Sequence, residues 1–160
     1  MPRRSKQGER ETIRATLVEL LLNFKKELET PNLRAKVQAL VPAYHLLRDL
    51  GSSLIPREDA ASARDRILFY LRKYPRFVIE GDELMVVSGI GEWARRVREL
   101  RVQFGWWIYS GVTVADMVED ARITGNHAEL ASLKSCLSID PSKIKPDQYV
   151  LMRAEQDREA

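Results

Sequence analysis

Four arginines fall within seven positions: Arg95, Arg96, Arg98 and Arg101, in the segment Glu92-Trp93-Ala94-Arg95-Arg96-Val97-Arg98-Glu99-Leu100-Arg101. A guanidinium fork can donate two parallel hydrogen bonds to O6 and N7 of guanine, or to a phosphate. At helical spacing, Trp93, Val97, Leu100 and Phe104 share one face, separated by 4, 3 and 4 positions, the stripe of a helix that buries one side. Arg95, Arg98, Glu99 and Val102 lie opposite, Glu92 sits beside them one turn earlier, and Arg96 and Arg101 occupy the flanks. This placement suits Arg95 and Arg98 to reading bases, and Arg96 and Arg101 to phosphates, which give position without sequence information. Glu92 or Glu99 would accept from cytosine N4 or orient an arginine. A merely solvated helix has the same pattern, in which Arg95 and Glu99 form an i,i+4 pair worth ~0.2–0.5 kcal/mol.

Trp106-Trp107-Ile108-Tyr109 follows, a strand by composition, bracketed by Gly105 and Gly111. Adjacent strand side chains point to opposite faces. One tryptophan is expected in the core and the other outside, near the arginine helix, with Tyr109 on the face of Trp107. Two readings stand: a strand anchored on the domain body, or an aromatic surface against DNA, a thymine methyl or a methylated base.

Other chemistry finds little support. His45 and His127 lie on different segments, in no paired metal spacing. Ser88-Gly89-Ile90-Gly91 lacks the lysine of a phosphate loop, and Glu80-Gly81-Asp82-Glu83 reads as a solvated turn. The single cysteine, Cys136, excludes an intramolecular disulfide framework and a cysteine-based zinc site, and reads as a buried structural thiol. No catalytic constellation, metal site or cofactor is expected. No apolar run approaches the ~18 residues of a membrane span, and no signal peptide follows Met1-Pro2-Arg3-Arg4, so a cytoplasmic, reducing setting is expected. The net charge of +3 is small. Its distribution is uneven, with a basic first third and an acidic last third, and the latter suits an extended polyanion surface poorly.

The elements that must position these residues read as mainly α with a small β component. Residues 1–8 are expected to be a disordered basic arm. Residues 9–55 form a helical hairpin. Its first helix carries Ile13, Leu17, Leu20, Leu21, Phe24 and Leu28. Its second starts at Thr30-Pro31, carries Leu33, Val37, Leu40, Val41, Tyr44 and Leu47, and is kinked or broken near Val41 by Pro42. These stripes pack on each other or on the rest of the chain, or serve a homodimer. From Pro56 the order is helix, strand, helix, turn, helix, strand, long excursion and strand. That is the order of a winged helix, a helix-turn-helix followed by a β-hairpin wing, over residues 56–152. Residues 111–146 are too long for a structureless loop. They read as a helical insertion in the wing, with Thr113 and Asn126 capping its helices.

The stretches Glu80-Gly81-Asp82-Glu83-Leu84, Ser88-Gly89-Ile90-Gly91-Glu92-Trp93-Ala94-Arg95-Arg96-Val97-Arg98-Glu99-Leu100-Arg101 and Phe104-Gly105-Trp106 resemble the winged-helix modules of prokaryotic HNH-type restriction endonucleases. Tyr149-Val150-Leu151 looks like their final wing strand. The resemblance covers roughly residues 60–110 and 140–155. It implies a module that recognises double-stranded DNA, with some relatives sensing adenine methylation, and a separate metal-dependent HNH domain that cuts. This sequence has no HNH motif, and residues 153–160 read as a polar, helix-prone start of a linker. The implied chain is a recognition fragment, or a stand-alone relative that lost its nuclease. A transcriptional regulator that binds as a dimer and a protein-interaction winged helix are the alternatives.

Overall fold

The computed structural model describes residues 6–137 and 139–157. Two long helices, α1 (Lys6–Leu28) and α2 (Leu33–Ser53), pack together as the N-terminal hairpin. Residues 6–8, expected in a disordered arm, are instead the first turn of α1, where Glu9 meets the positive end of the helix dipole. Residues 1–5 of that arm lie outside the described residues. The cap of α2 is not Thr30 but Asn32, whose carboxamide accepts from the Ala35 amide at 3.1 Å. The Thr30 hydroxyl donates backwards to the Glu27 carbonyl at 2.8 Å. No break occurs at Pro42: α2 runs through it. The missing N–H removes one ladder bond, while Ala39, Leu40, Ala43 and Leu46 form a buried or half-buried stripe on both sides of the proline.

The body begins with α3 (Ala63–Lys73), capped by the Ser62 hydroxyl, which accepts from the Asp65 amide at 3.0 Å. There follow β1 (Ile79–Glu80), α4 (Gly81–Ser88), α5 (Trp93–Val102), β2 (Trp106–Ser110), α6 (Gly111–Thr124), α7 (His127–Cys136), a 3₁₀ turn at Pro141–Lys143, and β3 (Gln148–Gln156). The chain is thus mainly α with a small β component, as its sequence implies. β3, the last element, is the central strand of a sheet ordered β1-β3-β2, antiparallel throughout. It pairs Ile79 with Tyr149 on one side and Ile108 with Leu151 on the other. Residues 153–156, expected as a helix-prone linker, are therefore strand. Pairing with β2 overrides the local propensity of Arg-Ala-Glu-Gln. Residues 158–160 lie outside the described residues.

Alternation along β2 and β3 divides the core in two. Ile108 and Leu151 face α3, α4 and α5, packing with Ile67, Leu71, Leu84, Val97 and Leu100. Val150 and Tyr109 face the other way, toward Val114, Leu137 and Ile144. Residues 111–146 thus fold as helices, and they cover the second face of the sheet. The start of α6 differs from the expected Thr113 cap: Ser110 accepts from the Thr113 amide at 3.3 Å, three residues earlier. At Gly111 the backbone of the returning chain comes so close that a Cβ would lie 1.7 Å from the Lys145 carbonyl oxygen. The hairpin meets the body where α2 crosses α4. There a Cβ on Gly51 would fall 2.4 Å from the Val86 carbonyl oxygen, so glycine permits the crossing.

Candidate nucleic-acid interface

The helix carrying the arginines is held from both ends. The α4–α5 turn opens on Gly89 at φ 67°, whose amide donates to the Met85 carbonyl at 3.2 Å. Arg66, from α3, donates to the Val87 carbonyl at 2.9 Å and the Ser88 carbonyl at 2.6 Å. A cation there meets the carbonyl-rich end of α4, where the helix dipole favours it. Burial, with Arg57 nearby, pulls the Arg66 guanidinium below its ordinary value. The start of α4 is fixed by Glu83, which accepts from the Glu80 amide at 2.7 Å and from the Tyr70 hydroxyl at 2.7 Å. The first residue of α5, Trp93, packs edge-on against Tyr149 of β3 with ring centres 5.7 Å apart. Val97 and Leu100 complete the buried side.

The outer face of α5 differs from the sequence-based wheel at one residue. Glu99, expected opposite the stripe, has a side chain only 16% exposed. Both of its oxygens accept from Arg96 at 2.8 Å. Arg95 stands 3.7 Å and Arg64 3.9 Å from it. Arg64 belongs to α3, and its guanidinium lies over the Phe104 ring at 4.4 Å. The cause is tertiary: α3 covers the flank on which Arg96 and Glu99 project. Glu99 is thus an internal organiser of arginines, and the alternative of accepting from a base is not supported by its surroundings. Arg96, expected at phosphates, is committed inside the domain. Arg95 remains two-thirds exposed, with Glu92 at 3.9 Å. Arg98 and Arg101 are exposed and make no ion pair among the described residues. Exposed Val102 lies between Arg95 and Arg98 on the helix surface.

The aromatic pair is separated from this face. Trp106 packs into the cluster beneath α5 and has Arg72 over its ring at 5.3 Å. Trp107 points to the opposite side of the sheet with Tyr109, edge-on at 6.4 Å, and Arg153 covers the Trp107 ring at 4.6 Å. Tyr109 also packs on the α6 cluster, and burial raises its pKa. The expectation that the outward tryptophan stands near the arginine helix is therefore corrected. The three-layer arrangement puts the sheet between them. Arg64, Arg66 and Arg153 are residues the sequence did not single out. Each acts on a partner distant in the chain, and no local spacing announces that.

In chemical terms, the arc through Arg95, Arg98 and Arg101 offers exposed cationic donors on a rigid helix. Among the described residues, no three His, Cys, Asp or Glu side chains come together as a metal site, and no helix is long and apolar enough to cross a membrane.

Comparison with known proteins gives one match. The family model of the KpnI N-terminal domain aligns with residues 64–152, from α3 to the middle of β3. No curated protein and no solved structure matches. The matched span takes in β1, β2, the first half of β3, most of both cores and the α4–α5 pair, and leaves out the hairpin. Covering more than half of the chain, it shows that this protein belongs to the KpnI N-terminal domain family, the N-terminal domain of a restriction enzyme.

Proposed function

We propose that the body of this protein is a winged helix that binds double-stranded DNA, with α5 in the major groove, as the recognition module of a restriction or defence endonuclease. The observation that carries the reading is the outer arc of α5. Arg95, Arg98 and Arg101 stand exposed on a helix that follows α4 through a tight turn, the position of a recognition helix. The order α3-β1-α4-α5-β2, with β3 returning after α6 and α7 to the centre of the sheet, supports the same reading. Arg98, exposed and unpaired, reads bases, with Arg95 beside it. Arg101, on the flank toward Tyr149, binds phosphate. Glu99, bonded to Arg96, holds Arg95 in place. Trp107 and Tyr109 lie outside this contact. In this reading the chain recognises DNA and does not itself cut it. Cleavage belongs to a nuclease domain in the intact protein, and the setting is the cytoplasm.

Gel-shift titration on short duplexes, unmodified and carrying adenine or cytosine methylation, tests the reading. Log affinity is expected to fall linearly with log salt. Arg98→Ala should cost about 1–3 kcal/mol on the preferred sequence and little on others. Arg101→Ala should weaken all duplexes alike. A preference among the methylated duplexes would mark modification sensing. If the Arg95, Arg96, Arg98 and Arg101 quadruple alanine variant binds as well as the parent, α5 is not the contact.

A further inference from the structure

The hairpin presents an apolar side that nothing in the described chain covers. On α1 the residues turned toward α2 are Ile13, Leu17, Leu20 and Phe24, all half-buried. About a quarter-turn around the same helix lies a second stripe, with Val18, Leu21 and Leu28 exposed. On α2 the inward residues include Leu40, Ala43 and Leu46, and a second stripe again lies about a quarter-turn away, with Val37 and Tyr44 exposed and Leu47 exposed at its inner edge. Two right-handed helices running antiparallel, each rotated in the same sense from their contact line, put these second stripes on one side of the hairpin. The same side continues into a hollow of about 940 Å³, where Tyr44, Leu47 and Leu54 face Met85 and Val86 of α4.

We infer that this side is the interface of a homodimer, in which two hairpins pair face to face as a four-helix bundle. Its apolar residues, each 44–65% exposed, form a patch on the order of the ~800 Å² per partner of a stable interface, beyond the few hundred Å² that a monomer ordinarily leaves exposed. The shape agrees. Two long stripes side by side are half of an antiparallel bundle, and a two-fold axis satisfies both at once. The charge agrees as well. The rim carries Arg10, Glu11, Arg14 and Arg48, with Glu11 and Arg14 already bonded at 2.9 Å. Such a mixed and partly closed rim does not select a polyanion or a strongly charged peptide. The dimer uses a surface remote from the arc of α5, and stands whether or not that arc binds DNA.

Sedimentation equilibrium of the whole chain, without DNA, from about 1 to about 100 μM tests it directly. A dimer is expected. Leu21→Glu with Tyr44→Glu should weaken it at least ~30-fold, whereas Ile123→Glu, at a still more exposed apolar position on α6, should leave it unchanged. Hydrogen exchange on the unaltered protein supplies a check that needs no variant. Amides of α1 and α2 should gain protection as concentration rises, and those of α6 should not. A monomer throughout the range, or a dimer indifferent to both hairpin charges, overturns the inference, and either would mean that something other than a second copy covers this side.

Discussion

Among the described side chains of α1 and α2, only Ala43 and Gly51 are buried, whereas every helix from α3 to α7 buries at least one large side chain. Both regions are helical and rich in apolar residues at helical spacing. In the body, that spacing is matched by partners from several elements, and its exposed helix face is cationic. In the hairpin, each helix has one packed stripe and one uncovered stripe. The difference teaches that amphipathic spacing specifies a side to be buried without specifying against what.

The contrast is sharpened most by breaking the body. Leu71→Ala should lose ~2–5 kcal/mol in urea unfolding, because Leu71 is fully buried between α3 and the sheet. Leu22→Ala, at a residue 72% exposed, should stay within ~0.5 kcal/mol. Equal losses would mean that the hairpin is packed as tightly as the body. Gly111→Ala comes next. A Cβ there meets a backbone carbonyl, so the second core must open, at ~2–4 kcal/mol. Loss of protection in α6 and α7 by hydrogen exchange, with α3 and α5 retained, is the expected pattern.

A smaller effect separates the inner and outer arginines of α5. Glu99→Gln removes the carboxylate that holds Arg96. It should destabilise the domain by about 1–2 kcal/mol while raising affinity for DNA at low salt, since one negative charge leaves a cationic face. A fall in affinity would show that Glu99 contacts the nucleic acid after all. The smallest effect is in pH dependence. Burial and the Glu83 carboxylate push the Tyr70 hydroxyl up to about 12. A raised pKa stabilises the fold fully below the ordinary tyrosine value near ~10 and loses that contribution as pH rises toward 12. Tyrosinate absorbance should show Tyr70 titrating late, and Tyr70→Phe should flatten the alkaline fall in stability. Burial raises Tyr109 and Tyr149 in the same direction.

Much of the architecture was legible in the chain itself. The stripe Trp93, Val97, Leu100 and Phe104 placed α5 and its outer arginines, because helical periodicity is local. Asn126 marked the start of α7 for the same reason: a side-chain oxygen reaches an amide three residues on. The caps of α2 and α6 were misplaced by a few residues, since several nearby oxygens compete for the same amides and local sequence does not rank them.

What the tertiary structure decided is of another kind. β3 extends to Gln156 only because β2 lies beside it. Glu99 turns inward because α3 covers that flank and brings Arg64 to it, beside Arg96 of its own helix. Trp107 and Tyr109 fall on the far side of the sheet from α5 because α6 and α7 supply a second core there. The sequence by itself determined which helix carries exposed arginines, through a spacing that any isolated helix obeys. The pairing of Arg95 and Arg96 is with carboxylates of their own neighbourhood, Glu92 and Glu99, but which of them turns inward was settled by α3, which covers one flank of α5 and brings Arg64 to Glu99, because burial depends on separation in space and not along the chain.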